Sequence, residues 1–226
     1  MRTGNPYLQP EYIHSFDLGY SLEKAKYSIT ASTYYRSSTG VISRVKEFYP
    51  NGTSAVTFMN IAETKSLGTE FVWMFRPKTW WKNTFSYNAN YIWYQTNQVD
   101  LPNRQGFNQN FKYSSSVEFW KKTATIQLSV TYNGPRVTVQ GIAQRQGPID
   151  LAFEKKLKAG KWTVGARVTD IFNKQGFYMA VDRPGVQQTA EFKWLTRRFF
   201  VSASYKFGKL EISNKSKLPG TEGGAE

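Results

Sequence analysis

Alternation of apolar and polar residues at every second position is the feature that most constrains the fold of this chain. Near the C-terminal end, the stretch RRFFVSASYKFG places Phe199, Val201, Ala203, Tyr205 and Phe207 on one side, with mostly polar residues between them. A period of two residues indicates a β-strand with one apolar and one polar face. This strand is therefore predicted to contact an apolar partner along one face.

The same alternation recurs along the chain and predicts an all-β fold. Nine strands are predicted, at about 12–20, 25–35, 67–75, 85–93, 111–119, 124–132, 149–157, 162–168 and 199–207. The third is the irregular one, because Val72 and Met74 lie opposite Phe71 and Trp73. The other eight each show one clean apolar register, so the sequence predicts a series of antiparallel hairpins.

The connections between these strands alternate in length. Short turns are predicted at 22–24, 76–82, 121–122 and 158–160, and long connections at 36–66, 95–110, 133–148 and 173–198. In an up-and-down antiparallel sheet every second connection lies at the same end, so each type occupies its own rim. Inside the first long connection, GVISRVKEFYPNG predicts an extended hairpin that turns at Pro50, Asn51 and Gly52.

Unequal rims and strands of about 9 to 11 residues with an apolar band favour a segment of a transmembrane, antiparallel up-and-down β-barrel. Closure of such a barrel leaves no strand edge unpaired. The long connections are then expected at the extracellular rim and the short turns at the periplasmic rim. Residues 1–10 are predicted to be an extracellular loop segment, 11–207 the barrel strands and loops, and 208–226 a polar, disordered periplasmic tail.

Aromatic residues gather near both ends of the predicted strands. Five tryptophans lie near the short turns, and one lies near the long connections together with Tyr35, Tyr94, Tyr132 and Phe172. These six tryptophans are Trp73, Trp80, Trp81, Trp120 and Trp162 at the first end and Trp93 at the second. Amphipathic rings prefer the two lipid–water interfaces, so they are predicted to form aromatic girdles. Aromatics also pack in soluble sheets, which leaves a soluble β-sandwich that binds carbohydrate as the alternative.

The basic residues are scattered rather than clustered. The formal net charge is +14, yet no dense basic run or zinc-finger pattern is present, so a nucleic-acid partner is not expected. Six basic residues on the long connections are candidate ligand contacts: Arg44, Lys46, Arg104, Arg136, Arg145 and Arg183. They would either draw an anionic cargo toward the lumen or contact anionic lipopolysaccharide at the outer leaflet.

Residues for catalysis or metal binding are scarce. The chain has no cysteine and a single histidine, His14, so thiolate chemistry, zinc sites and Ser-His catalysis have little material. The carboxylates Asp150 and Glu154, or Glu70 and Asp100, are interpreted as members of ion pairs rather than an acid–base pair. We expect no enzymatic activity, cofactor or metal. No apolar run reaches the 18 to 20 residues of a membrane-spanning helix, and the first ten residues lack the apolar stretch of a signal peptide.

Three stretches resemble the later barrel region of TonB-dependent outer-membrane receptors: NPYLQPEYIHSFDLGYS, VTDIFN and FFVSASYKFG. The tail GKLEISNKSKLPGTEGGAE is similar to extensions in the outer-membrane β-barrel branch common in Bacteroidetes. The family has a 22-stranded barrel, an N-terminal plug domain and a TonB box. With about nine strands and no plug, this chain resembles the C-terminal portion of such a receptor.

The resemblance implies a location in the bacterial outer membrane and a role in uptake of a siderophore, glycan or peptide. It implies as partners the outer-membrane lipid, a plug domain with upstream strands, TonB and the barrel-assembly machinery. Phe207 would belong to the C-terminal signal that this machinery recognises. The sequence does not name the cargo.

Overall fold

The computed structural model describes residues 4–48, 53–97, 101–144, 147–183 and 186–208. In these ranges the strands are β1 (Tyr12–Lys24), β2 (Tyr27–Phe48), β3 (Ser54–Lys78), β4 (Trp81–Thr96), β5 (Arg104–Phe119), β6 (Ala124–Asn133), β7 (Arg136–Thr138), β8 (Gly141–Gln144), β9 (Ile149–Leu157), β10 (Trp162–Thr169), β11 (Phe177–Arg183), β12 (Val186–Phe192) and β13 (Arg198–Tyr205). A 3₁₀ turn, Lys158–Gly160, joins β9 to β10. Among the described residues, no helix combines the length and apolar character needed to cross a membrane.

Within the described residues, nine of these strands form one antiparallel sheet, here called the main sheet. Its order is β1-β2-β3-β4-β5-β6-β9-β10-β13, so neighbours in the sheet follow the chain. The all-β class and the nine predicted strands are confirmed. β1 and β13 each have one strand partner in this sheet, which is not closed within the described residues. This open sheet agrees with the predicted segment of a larger barrel, in which closure would require further strands.

Strand register separates the main sheet into an apolar and a polar face. One row of paired residues crosses six strands as Tyr20, Ala31, Phe71, Tyr87, Phe111 and Tyr132. The adjacent row, on the opposite face, consists of Gly19, Ser32, Glu70, Asn88, Asn110 and Asn133. Toward the other edge, the apolar face continues through Ile126, Phe153, Ala166 and Val201. Side chains alternate between the faces as the period of two predicts.

The main sheet curves around its polar face. A cavity of about 530 Å³ lies on that face, and its lining includes Lys112, Ser129, Asp150 and Arg167 from four different strands. Many large side chains of the apolar face are exposed, with Val201 at 89%. An apolar surface that extends across the nine strands of the main sheet requires a lipid or protein partner.

Several strands are longer than predicted. β2 has 22 residues and β3 has 25, so they remain paired through most of 36–66, which was predicted to be a long connection. This pairing confirms the extended hairpin, while its predicted turn at 50–52 lies outside the described residues. A register shift follows Ser38, where Gly40 adopts a φ of +66° and a Cβ would approach the Pro10 carbonyl oxygen to 3.0 Å. The predicted length of 9 to 11 residues is also wrong for β1, β4 and β5, which have 13, 16 and 16.

The remaining boundaries differ less from the prediction. The first short turn lies at 25–26 rather than 22–24, whereas the other three lie within or next to their predicted positions. The connection predicted at 95–110 is shorter, because β4 ends at Thr96 and β5 begins at Arg104. The last strand ends at Tyr205 rather than Phe207, although the Lys206 amide still donates to the Lys161 carbonyl oxygen at 2.8 Å.

The two C-terminal long connections contain a second sheet that was not predicted from the sequence. In the described residues β7, β8, β11 and β12 form a four-stranded antiparallel sheet in the order β12-β11-β8-β7, here called the rim sheet. Its strands have 3 to 7 residues, too few for clear alternation. Nearby, Val45, Ala62, Leu101 and Val139 form a buried apolar cluster. The long-connection end is therefore packed structure rather than a set of independent loops.

Candidate functional site

Where the structure describes them, the basic residues predicted as ligand contacts lie at the long-connection end of the main sheet. Arg44 is exposed on the extension of β2, Arg104 begins β5 and Arg136 begins β7. Lys46 and Arg183 lie on β2 and β11, but their side chains are not described, and Arg145 lies outside the described residues. Because β7 packs against β5, the structure brings Arg104 and Arg136 onto adjoining strands. Contact of these residues with a ligand remains a prediction.

The six predicted girdle tryptophans divide between the two ends of the main sheet. Trp80 and Trp120 lie in short turns, while Trp81 and Trp162 are the first residues of β4 and β10. The Lys155 ammonium lies over the Trp120 ring, 4.4 Å from its centroid. Trp73 lies farther inside β3, with its ring stacked on Phe75 at 4.4 Å. Trp93 lies near the opposite end of β4, against Tyr91 at 4.8 Å. Their contact with the membrane interfaces stays a prediction.

Two further aromatic residues, Phe207 and Trp194, flank β13. Phe207 is 88% exposed and follows β13 by two residues, a position that does not test its predicted role in assembly. Trp194 was not predicted as an interfacial residue, yet it is exposed beside Leu195 in the segment before β13. The stretch KWLTRRFF could have indicated these exposed apolar side chains, since it places them next to the start of a predicted strand.

A patch of five asparagines occupies the polar face near the long-connection end. The residues of this asparagine patch are Asn88 and Asn90 on β4, Asn108 and Asn110 on β5, and Asn133 on β6. Asn88 pairs with Asn110, which pairs with Asn133, and Asn90 pairs with Asn108. This patch was not predicted from the sequence, although the spacing in YNANY and FNQNF places each asparagine pair on one strand face.

Two amides of the asparagine patch have structural partners. The Asn88 side chain donates to a Glu70 carboxylate oxygen at 3.1 Å, and the Asn108 side-chain oxygen accepts from the Val137 amide at 2.9 Å. The second bond attaches β7 of the rim sheet to the polar face of β5. Within the described part of the chain, the side chains of Asn90, Asn110 and Asn133 form no hydrogen bond, so their donors and acceptors are available.

A cavity separates the asparagine patch from the rim sheet. This rim cavity has a volume of about 330 Å³ and is lined by Asn108, Asn110, Asn133, Arg136 and Phe177, among others. A second cavity of about 310 Å³ shares Phe177 with the first and includes Lys174, Glu191 and Lys193 in its lining. Concave sites with a few convergent polar groups are the usual form of ligand sites.

The motif VTDIFN forms a buried polar junction at the end of β10. Asp170 and Asn173 adopt left-handed conformations, with φ of +45° and +50°, which these two residue types tolerate well. Asp170 is 2% exposed. Its carboxylate accepts from the amides of Lys174 at 3.1 Å and Gln175 at 2.9 Å, and from the Thr196 hydroxyl. The junction thus joins both ends of the segment that contains β11 and β12.

The same junction is attached to the main sheet. The Asp170 amide donates to Asp150 Oδ1 at 2.9 Å, and Asp150 Oδ2 forms an ion pair with Arg167 at 2.9 Å. The predicted role of Asp150 in an ion pair is therefore confirmed, whereas Asp100 lies outside the described residues. No group of three or more His, Asp or Glu residues that could hold a metal ion is found in the described ranges.

The pKa of Asp170 reflects two opposing effects. Burial raises this pKa, but the hydrogen bonds from Thr196, Gln175 and Lys174, with the positive charge of Arg197, outweigh burial and hold the pKa below its ordinary value of 3.8. The carboxylate is therefore ionised at neutral pH and acts as an acceptor.

The family comparison identifies the class of protein that has this curved, two-faced sheet. Residues 1–205 match the Outer membrane protein beta-barrel family, so the chain belongs to this family. The protein is located in the bacterial outer membrane, a lipid environment. The soluble β-sandwich alternative is therefore wrong.

A solved structure has a similar fold. It is the FrpB iron transporter from Neisseria meningitidis (F3-3 variant), with a TM-score of 0.61 and 11% sequence identity. The similarity covers 92% of this chain and 33% of the FrpB chain, so this chain spans about a third of that length. Among curated proteins, no sequence matches.

Proposed function

We propose that this chain forms the C-terminal part of the barrel of a TonB-dependent outer-membrane receptor that takes up a siderophore, glycan or peptide. The observation that carries this proposal is the open, curved main sheet, with polar residues on its concave face and apolar residues outside. A sheet of this form encloses a lumen only when further strands pair with β1 and β13.

Strand direction supports additional strands over closure of the chain on itself. In a sheet of nine antiparallel strands, β1 and β13 run in the same direction. Direct pairing of these two edges would therefore be parallel, both within one chain and between two copies in the same membrane orientation. An odd number of further strands makes every pair antiparallel, and a 22-stranded transporter barrel leaves thirteen.

The remaining parts of the proposal rest on the resemblance to TonB-dependent receptors. The long connections and rim sheet lie at the extracellular end, and the short turns lie in the periplasm. A plug domain occupies the polar concave face, TonB supplies energy, and the assembly machinery recognises the C-terminal strand with Phe207. Under this proposal the chain contributes to transport and performs no catalysis, and it needs no cofactor, metal or nucleic acid.

The proposal is tested by uptake in the host cell. The coding region of this chain would be deleted in frame and complemented, and uptake of labelled ferric siderophores, oligosaccharides and peptides would be measured with TonB active or inactive. We expect loss of uptake for one cargo class in the deletion strain and in the strain without active TonB, with recovery on complementation. Uptake of every class at the wild-type rate would contradict the proposal.

A further inference from the structure

We propose that the rim cavity is a binding site for an acidic saccharide, with Asn110, Asn133, Arg136 and Phe177 as its contact residues. This inference names a substrate class for the proposed function and rests on that function for its role in uptake. The binding site itself is defined by the lining of the cavity.

The amides favour a ligand rich in hydroxyl groups. An asparagine side chain offers two N–H donors and a carbonyl acceptor, and a sugar hydroxyl both donates and accepts. Asn110 and Asn133 are directly paired across β5 and β6 and both line the cavity. Two such amides side by side match neighbouring hydroxyls on one sugar ring.

Arg136 adds a preference for negative charge. Its side chain is exposed and forms no ion pair with any described carboxylate. A guanidinium binds a carboxylate through two parallel hydrogen bonds. Lys174 and Lys193 line the adjoining cavity with Glu191 as the one carboxylate in its described lining, so the charge along the rim is positive.

Phe177 supplies an apolar surface on the same side of the rim sheet. Arg136 pairs with Ala143, which pairs with Met179, and Phe177 lies two residues from Met179 on β11. Because alternate residues share a face, Arg136 and Phe177 project toward the same side. An aromatic ring there packs against the C–H face of a sugar ring.

The position of the cavity bears on the source of the saccharide. Asn110 and Asn133 lie on the concave polar face of the main sheet, while the outer leaflet contacts the convex apolar face. This favours a free saccharide entering the lumen over the sugar part of lipopolysaccharide, which carries the same chemistry. Competition between the two distinguishes these sources.

The test is equilibrium binding to outer membranes that contain the full chain. The probes are labelled trigalacturonate, which is acidic, and maltotriose, which is neutral. We expect tighter binding of trigalacturonate, weakened by added salt because the charge interaction is screened. R136Q is expected to weaken trigalacturonate binding about tenfold or more, to leave maltotriose binding unchanged, and to be partly rescued by R136K.

Two further variants provide the controls. N110A/N133A is expected to weaken both probes, whereas R76Q, at the short-turn end of β3, is expected to change neither. Retained maltotriose binding shows that R136Q is folded. Equal trigalacturonate affinity in R136Q and wild type, or no saccharide binding above that of membranes without the chain, would overturn the inference. Competition by purified lipopolysaccharide at equal sugar concentration would assign the site to the lipid-linked saccharide.

The outcomes separate this inference from the proposed function. If saccharide binding depends on Arg136 but uptake does not depend on TonB, the site stands and the receptor proposal fails. If TonB-dependent uptake is found for another cargo class and no saccharide binds, the receptor proposal stands and this inference fails.

Discussion

Asp170 shows how a single side chain organises the long-connection end. Its carboxylate collects hydrogen bonds from the segment that leaves β10 and from Thr196, just before β13. Asn173 adds a second contact, because its side-chain oxygen accepts from the Thr196 amide at 3.0 Å. These bonds hold the ends of the segment that carries half of the rim sheet, including Phe177 at the proposed saccharide site.

Replacement of Asp170 by alanine is expected to loosen the segment from Lys174 to Thr196. The change leaves two backbone amides and one hydroxyl without their acceptor, at a cost of about 1 to 3 kcal/mol for each buried group that stays unsatisfied. Asp170→Asn is the matched control, since asparagine tolerates the left-handed conformation and keeps one acceptor oxygen. Limited proteolysis should cut the alanine variant faster than the asparagine variant. Equal cleavage of both variants and wild type would contradict this role.

The lowered pKa of Asp170 predicts a pH dependence of the same segment. The folded chain holds this carboxyl below its ordinary pKa of 3.8, so folding favours the ionised form. Its stabilising effect is complete above the ordinary pKa and is lost as the pH falls through the lowered value. Hydrogen exchange at the Lys174 and Gln175 amides should therefore show an acid-dependent loss of protection that D170N lacks. An identical pH profile in both proteins would contradict the assignment.

At the residue scale the sequence predicts motifs better than contacts. VTDIFN could be identified as a motif, but nothing in it shows that Asp170 accepts from Thr196, 26 positions away. The asparagine pairs were likewise visible on their strands, yet only strand register brings β4, β5 and β6 together. The opposing rim sheet, which creates the cavity, leaves no clear alternation in the sequence.

At the scale of single elements, alternation determines which strands can be predicted. The strands of the main sheet were found because one face is apolar throughout, and β9 has the predicted bounds, Ile149–Leu157. The hairpin at the ends of β2 and β3 was predicted, but its continuity with these two strands was not, because a solvated hairpin needs backbone pairing and no continuous apolar face. The same reason applies to β7 and β8, of 3 and 4 residues.

The two faces of β6 predict opposite effects of an added charge. Leu128 lies on the apolar face and pairs with Leu151, while Gln127 lies on the polar face and lines the large cavity. Leu128→Arg is expected to cost about 2 to 4 kcal/mol in the membrane, whereas Gln127→Arg, near Asp150, is expected to be mild. Urea unfolding in lipid vesicles measures both changes. Equal destabilisation by the two variants would show that the face assignment is wrong.

At the scale of the whole molecule, sheet order places all short turns at one end and the long connections at the other. The sequence predicted this division, because connection length is visible without a structure. The number of strands that complete the barrel cannot be predicted from the sequence, because nothing in β1 or β13 identifies the strands that pair with them. Strand direction limits that number to an odd one for antiparallel closure.

The proposed orientation predicts unequal labelling in intact cells. A cysteine at Arg44, on the extension of β2, should react with an impermeant maleimide, whereas one at Lys122, in a short turn, should react only after the outer membrane is permeabilised. The chain has no native cysteine to interfere. Labelling of Lys122→Cys alone in intact cells would show the opposite orientation, and equal labelling of both would contradict the two-rim arrangement.

The most direct test of the central claim is a spin-label scan along β6 in lipid vesicles, with the protein assembled in its native membrane form. The claim is that the apolar face meets lipid while the polar face lines an aqueous lumen. Accessibility to oxygen should peak at labels replacing Ile126, Leu128 and Val130. Accessibility to a water-soluble nickel complex should peak at labels replacing Gln127, Ser129 and Thr131. Absence of a two-residue period, or the opposite phase, would contradict the account.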